Sequence, residues 1–370
     1  MSKELFRKEL AKFRPYVPGK PIEEVKREYG LSRIEKLASN ENQLGPSPMA
    51  VEAVIKAARE INFYPEATAY ELKRELAADL GVKEENLVIG NGGEELLQVI
   101  AQTFINEGDE VVVAAPSFGI YNTTVGLMGG IVHSVPFKNN RYDLNGMLEK
   151  VNDKTKLIYV CNPNNPTGNI VTKKELEFLL AGLPDDVTVV LDEAYYEFAV
   201  SDPDYPDSLK IMKSRPNTVI LRTFSKISGI AGLRIGYVIT SGIIAAEMNK
   251  IKLTFDVNRL AQEAARGALK DTEHTKKTVA LTKESIDRME AYFEKRGLDY
   301  IKSYANFIFV DIGFDSKTGF EELMKRGVIV RPGFFWGWDN WIRVSAGTPE
   351  QTRFFLDMLE EVLKEKCQIR

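Results

Sequence analysis

The chain has 370 residues, 44% hydrophobic and 28% charged, and its 49 Lys and Arg against 53 Asp and Glu leave a net charge of −4. That length suggests two domains with cores large enough to need no disulfides, and the composition excludes a mainly disordered chain. A near-neutral balance with no run of Lys or Arg excludes nucleic acid as an expected partner.

In chain order, apolar side chains recur at helical spacing over 49–61 and 68–81, where Gly81 is a natural stop. A short strand at 87–89 ends in Gly90-Asn91-Gly92-Gly93, and 94–104 resumes helical spacing. Short apolar runs, mostly rich in β-branched residues, follow at 110–114, 131–135, 157–161, 187–191, 219–222 and 235–240, with helical stretches such as 173–182 between several of them. Runs of this kind, apolar on both faces, predict α/β architecture with a mostly parallel sheet covered by helices. From 262 one helical pattern continues to about 296; strands at 306–312, 328–331 and 341–345 and a helix at 350–365 complete a smaller α+β unit. The expected division is 1–44 as an N-terminal arm and part of the small domain, 45–261 as the large domain, and 262–370 as the small C-terminal domain.

The two cysteines, Cys161 and Cys367, stand 206 positions apart (367 − 161), which is neither a disulfide framework nor a zinc spacing and fits a reducing cytoplasm. His133 and His274 are isolated, so no imidazole cluster is offered to a metal and none is expected. The opening residues lack the apolar core of a signal peptide, and no apolar run approaches the ~18 residues that cross a bilayer. No membrane association is expected.

Chemistry concentrates at the predicted strand ends. Lys226 follows a strand within Thr223-Phe224-Ser225-Lys226-Ile227-Ser228-Gly229, with Arg234 eight positions on. A partly desolvated lysine acts as an amine nucleophile toward a carbonyl, and an arginine with nearby hydroxyls suits a phosphate. Asp192, followed by Glu193-Ala194-Tyr195, closes an apolar strand where ligands bind in open α/β sheets; alone, it reads equally as a helix cap. Asn162-Pro163-Asn164-Asn165-Pro166-Thr167-Gly168 reads alone as a turn. Gly92-Gly93-Glu94 reads either as a plain strand-to-helix turn or as backbone N–H groups aimed at an anion. Occurring in order, each at a strand end, they describe a site for a phosphorylated aromatic aldehyde held by a lysine: pyridoxal 5'-phosphate.

With these motifs the chain resembles the class I/II aminotransferases of pyridoxal-phosphate fold type I, and within them the histidinol-phosphate aminotransferases. Further markers are Phe13-Arg14-Pro15-Tyr16, Leu37-Ala38-Ser39-Asn40-Glu41-Asn42, Tyr64-Pro65-Glu66, Ile329-Val330-Arg331-Pro332-Gly333 and Arg343-Val344-Ser345-Ala346-Gly347. The resemblance implies that 45–261 binds the cofactor. Lys226 would join its aldehyde and then shuttle a proton, Asp192 would pair with the pyridine nitrogen, and Asn165 and Tyr195 would bond its phenolic oxygen. Phe118 would stack on the ring. Gly93 and Glu94 through their N–H groups, Ser225 and Arg234 would hold the phosphate, reached also by Tyr64 of a second subunit, so a homodimer is implied. Arg343 would take the substrate's anionic group, with Arg331, Tyr16 and Asn40 beside it.

The implied reaction exchanges the amino group of histidinol phosphate with 2-oxoglutarate, giving imidazole-acetol phosphate and glutamate. Gln43 departs from the subgroup's usual proline, Gly93-Glu94 from its Ser-Asp, and Ile227-Ser228 from its Ala-Phe. The aromatic segment Phe334-Phe335-Trp336-Gly337-Trp338 lies between the two arginines, and it keeps open an aromatic-amino-acid aminotransferase as alternative. A threonine-phosphate decarboxylase is the further one. A regulator that senses pyridoxal phosphate would need a DNA-binding module for which the chain has no spare segment.

Overall fold

The computed structural model describes residues 5–15 and 22–367; Tyr16, expected in the substrate pocket, lies outside them. After β1 (Glu35–Lys36), seven strands make the large sheet: β2 (Leu87–Gly90), β3 (Glu110–Ala115), β4 (Ile131–Pro136), β5 (Thr155–Cys161), β6 (Thr188–Asp192), β7 (Thr218–Thr223) and β8 (Gly236–Ile239). Their spatial order is β2-β8-β7-β6-β5-β3-β4. β7 through β4 are parallel, and β8 runs antiparallel to both β7 and β2. The mostly parallel sheet expected from the apolar runs is therefore present.

Both faces of this sheet are buried. Ile158, Val160, Val189 and Leu191 point into one apolar layer, and Leu157, Tyr159, Cys161 and Val190 into the other, the alternation that a pleated strand imposes. Helices Gly93–Phe104, Ile120–Leu127 and Gly242–Ile251 cover the second layer; Tyr70–Leu80, Lys173–Ala181 and Arg259–Lys270 are among those covering the first.

The long helix expected from 262 is two helices, Arg259–Lys270 and Thr272–Arg296. Asp271 separates them because its carboxylate accepts the His274 N–H at 3.1 Å and starts a new helix. Ala261, Ala264, Ala265 and Ala268 of the first helix pack in the core of the large sheet. The division expected after residue 261 thus passes through a helix that belongs to that core.

The smaller unit is an antiparallel sheet of β9 (Tyr300–Ile301), β10 (Phe307–Asp311), β12 (Arg331–Pro332) and β13 (Trp341–Ser345), in the order β12-β13-β10-β9. The strand expected over 328–331 divides: β11 (Val328–Ile329) pairs in parallel with β1, and β12 pairs with β13. Leu37 extends the link, its N–H donating to Ile329 O and its carbonyl accepting the Ser345 N–H, both at 2.8 Å. Residues 35–37 are thereby bonded to the small unit although they precede the large sheet in sequence.

Candidate active site

The carboxyl ends of β5, β6 and β7 deliver Cys161, Asp192 and Thr223 to one edge of the large sheet, where open α/β folds bind ligands. Gly236 lies opposite both Gly90 and Thr223, which draws the turn after β2 against the turn after β7. Helix Gly93–Phe104 starts there, with Gly92 at φ +89 and no side chain capping its first N–H groups. A Cβ on Gly92 would lie 2.6 Å from Arg234 Nη2. The guanidinium therefore sits where only glycine leaves room. Arg234 itself has φ +59, a conformation rarely adopted by a residue with a side chain. With Ser225, buried beside Thr223 Oγ1 (3.0 Å), these groups form a concave set of donors suited to a phosphate.

Asp192 is buried. One carboxylate oxygen accepts the Tyr121 hydroxyl at 2.6 Å and the other the Ala194 N–H at 3.1 Å. Burial raises its pKa from 3.8 to about 6. Among the described residues no ion pair involves Asp192. An uncompensated buried carboxylate is costly and suits a cationic ring N–H. Tyr121 stacks on Tyr159 with centroids 4.5 Å apart, and Phe118 meets Tyr121 edge-on at 5.8 Å.

The amine of Lys226 is half-buried and donates to Ser39 O at 3.2 Å. Burial, then the positive charge of Arg343, lowers its pKa from 10.5 to about 8, the direction that favours a nucleophilic amine. Its backbone is clasped by the preceding loop: Asn42 Nδ2 donates to Ile227 O at 2.9 Å and to Thr278 Oγ1 at 3.1 Å, and the Ser47 N–H donates to Ser228 O at 3.0 Å.

Tyr195 accepts a hydrogen bond from Asn40 Nδ2 at 2.9 Å, and Asn40, at φ +54, is fixed by Ser345 and Asn306. Arg343 reaches across from β13: Nη1 donates to Asn165 Oδ1 at 2.5 Å and Nη2 to Ala38 O at 2.6 Å. Arg331 is its direct cross-strand partner, so two guanidinium groups come from one ladder position. Trp336 lies 5.4 Å from the Arg343 guanidinium, and the Phe335 ring lies under that of Arg331 at 4.0 Å.

Of the expected residues, Lys226, Asp192, Tyr195, Asn165, Asn40 and Arg343 form one connected neighbourhood, with Gly93, Glu94, Ser225 and Arg234 at its phosphate-suited end. Tyr64 stands apart on the surface, 78% exposed and stacked on Phe255 at 4.8 Å. Three features escaped sequence reasoning. Tyr121 lies in the first turn of the helix Ile120–Leu127, three residues after Phe118, and offered no motif. Asn42 had only its place in the Asn-Glu-Asn string. The buried Glu193–Arg222 pair, 2.8 Å apart, braces the turn after Asp192; an acid placed directly after a strand-end aspartate was its one available signal.

The donor set, the unpaired buried carboxylate and the amine of lowered pKa together fit pyridoxal phosphate. Comparison with known proteins agrees. A family model described as aminotransferase class I and II matches residues 32–359. Curated histidinol-phosphate aminotransferases from Carboxydothermus hydrogenoformans and Moorella thermoacetica are each 48% identical, covering 97% and 96% of this chain and 99% and 92% of their own. A crystal structure of the histidinol-phosphate aminotransferase from Sinorhizobium meliloti in complex with pyridoxal-5'-phosphate superimposes with a TM-score of 0.89 at 30% identity, over 98% of this chain and 99% of that one. The chain belongs to the aminotransferase class I and II family.

Proposed function

We propose that the chain is a pyridoxal-phosphate-dependent aminotransferase that converts histidinol phosphate and 2-oxoglutarate to imidazole-acetol phosphate and glutamate, a step of histidine biosynthesis. The observation that carries the substrate assignment is the cross-strand placement of Arg331 and Arg343, the second of which acts on Lys226 through its charge. Two guanidinium forks suit both anions that the reaction alternates between, a phosphate ester and a carboxylate. The relatives' names agree with that choice.

Lys226 would hold the cofactor through its aldehyde in the resting enzyme, and the cofactor would supply a protonated ring able to withdraw electrons from the α-carbon of a substrate that has replaced the lysine. Asp192 keeps the proton on the ring nitrogen. Asn165 and Tyr195 donate toward the phenolic oxygen, and Phe118 covers the ring face. The N–H groups of Gly93 and Glu94, with Ser225 and Arg234, hold the phosphate. Nζ of Lys226, once released, would take the proton from the substrate α-carbon and return it to the cofactor's aldehyde-derived carbon, C4′, a role for which a pKa of about 8 is well placed. Arg343 and Arg331, with Asn40 and Tyr16, orient the substrate.

We further propose a homodimer in which Tyr64 reaches the neighbouring subunit's phosphate site. Tyr64, Phe63, Ile61 and Leu253 are 64–78% exposed in two segments joined by the Tyr64–Phe255 stack, and apolar surface of that extent favours an interface. No helix among the described residues is long and apolar enough to cross a membrane, and the cytoplasm remains the compartment inferred from the cysteines.

The test is glutamate formation from 2-oxoglutarate with histidinol phosphate or phenylalanine as amino donor. Turnover with histidinol phosphate at least tenfold more efficient supports the reading. Preference for phenylalanine would replace it with an aromatic aminotransferase, and carbon dioxide release without consumption of the oxo acid would replace it with a decarboxylase.

A further inference from the structure

Asn40 connects the small unit to Tyr195 of the large one. Its left-handed backbone, φ +54, is held on both sides: its N–H donates to Ser345 Oγ at 2.9 Å, and its carbonyl accepts Asn306 Nδ2 at 3.0 Å. Asn40, Ser345, Asn306 and Tyr195 are each buried to within 4% of complete, so water competes little for these bonds.

The direction of each bond follows from its chemistry. Ser345 Oγ accepts the Asn40 N–H, and its own proton goes to Asn40 Oδ1 at 3.1 Å. That turns Asn40 Nδ2 toward Tyr195 Oη at 2.9 Å. An amide NH2 donates and does not accept, so Tyr195 receives this bond and does not spend its hydroxyl proton on it. The Tyr195 ring is set edge-on to Phe307 at 5.0 Å, and Lys226 Nζ lies 6.0 Å from its centroid. The hydroxyl thus keeps a proton to offer close to the amine.

We propose that Ser345 is a positioning residue for the cofactor: by fixing the Asn40 amide it commits the Tyr195 hydroxyl to donating toward the phenolic oxygen. The proposal rests on the placement of Tyr195 in the function proposed above. A donor on the phenolic oxygen draws off the electron density that would otherwise hold a proton on the lysine-linked nitrogen beside it. Ser345 therefore acts on the cofactor through two intervening side chains, from a strand of the other unit, without touching it. Arg343, Asp192, Cys161 and Lys226 are the charged and titratable groups around Tyr195, and the variants below leave all four in place.

The test follows the pH midpoint of the bound cofactor's absorbance change in the holoenzyme. Ser345→Ala is expected to raise that midpoint by about 0.5–1 pH unit, the three- to tenfold worth of one hydrogen bond. Asn40→Gly, which suits the left-handed backbone and removes the amide, should raise it likewise and serves if Ser345→Ala fails to fold. Tyr195→Phe should raise it at least as far, and adding Ser345→Ala to Tyr195→Phe should move it no further, as coupled residues require. An unmoved midpoint in Ser345→Ala or Asn40→Gly while Tyr195→Phe shifts it, or shifts that simply add, would overturn the proposal. An unmoved midpoint in Tyr195→Phe would remove Tyr195 from the phenolic oxygen and the proposal with it. Turnover of histidinol phosphate does not enter this measurement, so failure of the substrate assignment would be seen separately.

Discussion

Tyr121 donates its hydroxyl to the carboxylate of Asp192 at 2.6 Å, from a ring stacked on Tyr159. The bond opposes the effect of burial, which drives the Asp192 pKa upward. Removing it leaves that carboxylate with the Ala194 N–H as its remaining hydrogen bond among the described residues. Tyr121→Phe is expected to weaken cofactor binding by about tenfold, the worth of one hydrogen bond to a charged group, with little change in fold. Absorbance titration of the cofactor-free protein measures it, and unaltered affinity would mean that Tyr121 only fills space.

Asp192 itself opposes stability in the cofactor-free protein. Its folded pKa of about 6 lies above the ordinary 3.8, so the folded chain binds the proton more tightly than the unfolded one. The favourable contribution is present below pH 3.8 and is lost as pH rises through about 6, at a cost of up to about 3 kcal/mol. Asp192→Asn should therefore raise the melting temperature of the cofactor-free protein at pH 7.5 and leave it nearly unchanged at pH 4. Turnover should fall by about 10²–10³ with the ring partner gone. Equal melting shifts at both pH values would contradict the linkage.

Lys226→Ala should abolish turnover, and hydride reduction in the presence of pyridoxal phosphate should leave no covalent mass on the active-site peptide. In the wild type the same trapping should rise with pH around a midpoint of about 8, because burial and Arg343 favour the neutral amine. A midpoint near 10.5 would show that the amine is solvated.

Arg343→Lys keeps the charge but cannot serve Asn165 and Ala38 in the present two-pronged geometry. KM for both substrates should rise by about tenfold or more. A change confined to one substrate would assign Arg343 to that anion alone.

Asn42→Ala removes the bonds to Ile227 O and Thr278 and should lower kcat more than it raises KM, because it loosens the backbone next to Lys226 and not the anion site. The trapping midpoint should move as well. A purely thermal loss of stability, with kcat and midpoint intact, would mean that the clasp is structural only.

Much of this site was legible because each motif interrupts a run of buried β-branched residues, and a polar group there has few places to go except the sheet edge. Asp192, Lys226 and Asn165 were found in that way. Register was less visible: nothing in the spacing of 328–331 announced that Val330 separates two sheets, since its neighbours on both sides are equally apolar or extended. The helix break at Asp271 was hidden by continuing helical periodicity, and only the capping geometry reveals it. Tyr121 and Arg222 act through contacts made by distant strands, which periodicity along one segment cannot report.

The pairing of β1 with β11 has a mechanical corollary. Residues 35–37 are stitched to the strand that leads directly into Arg331, while Ser39, two positions later, receives the amine of Lys226. A shift of the anion-binding ladder relative to the large sheet would thus pull on the lysine's acceptor through a tether of very few bonds.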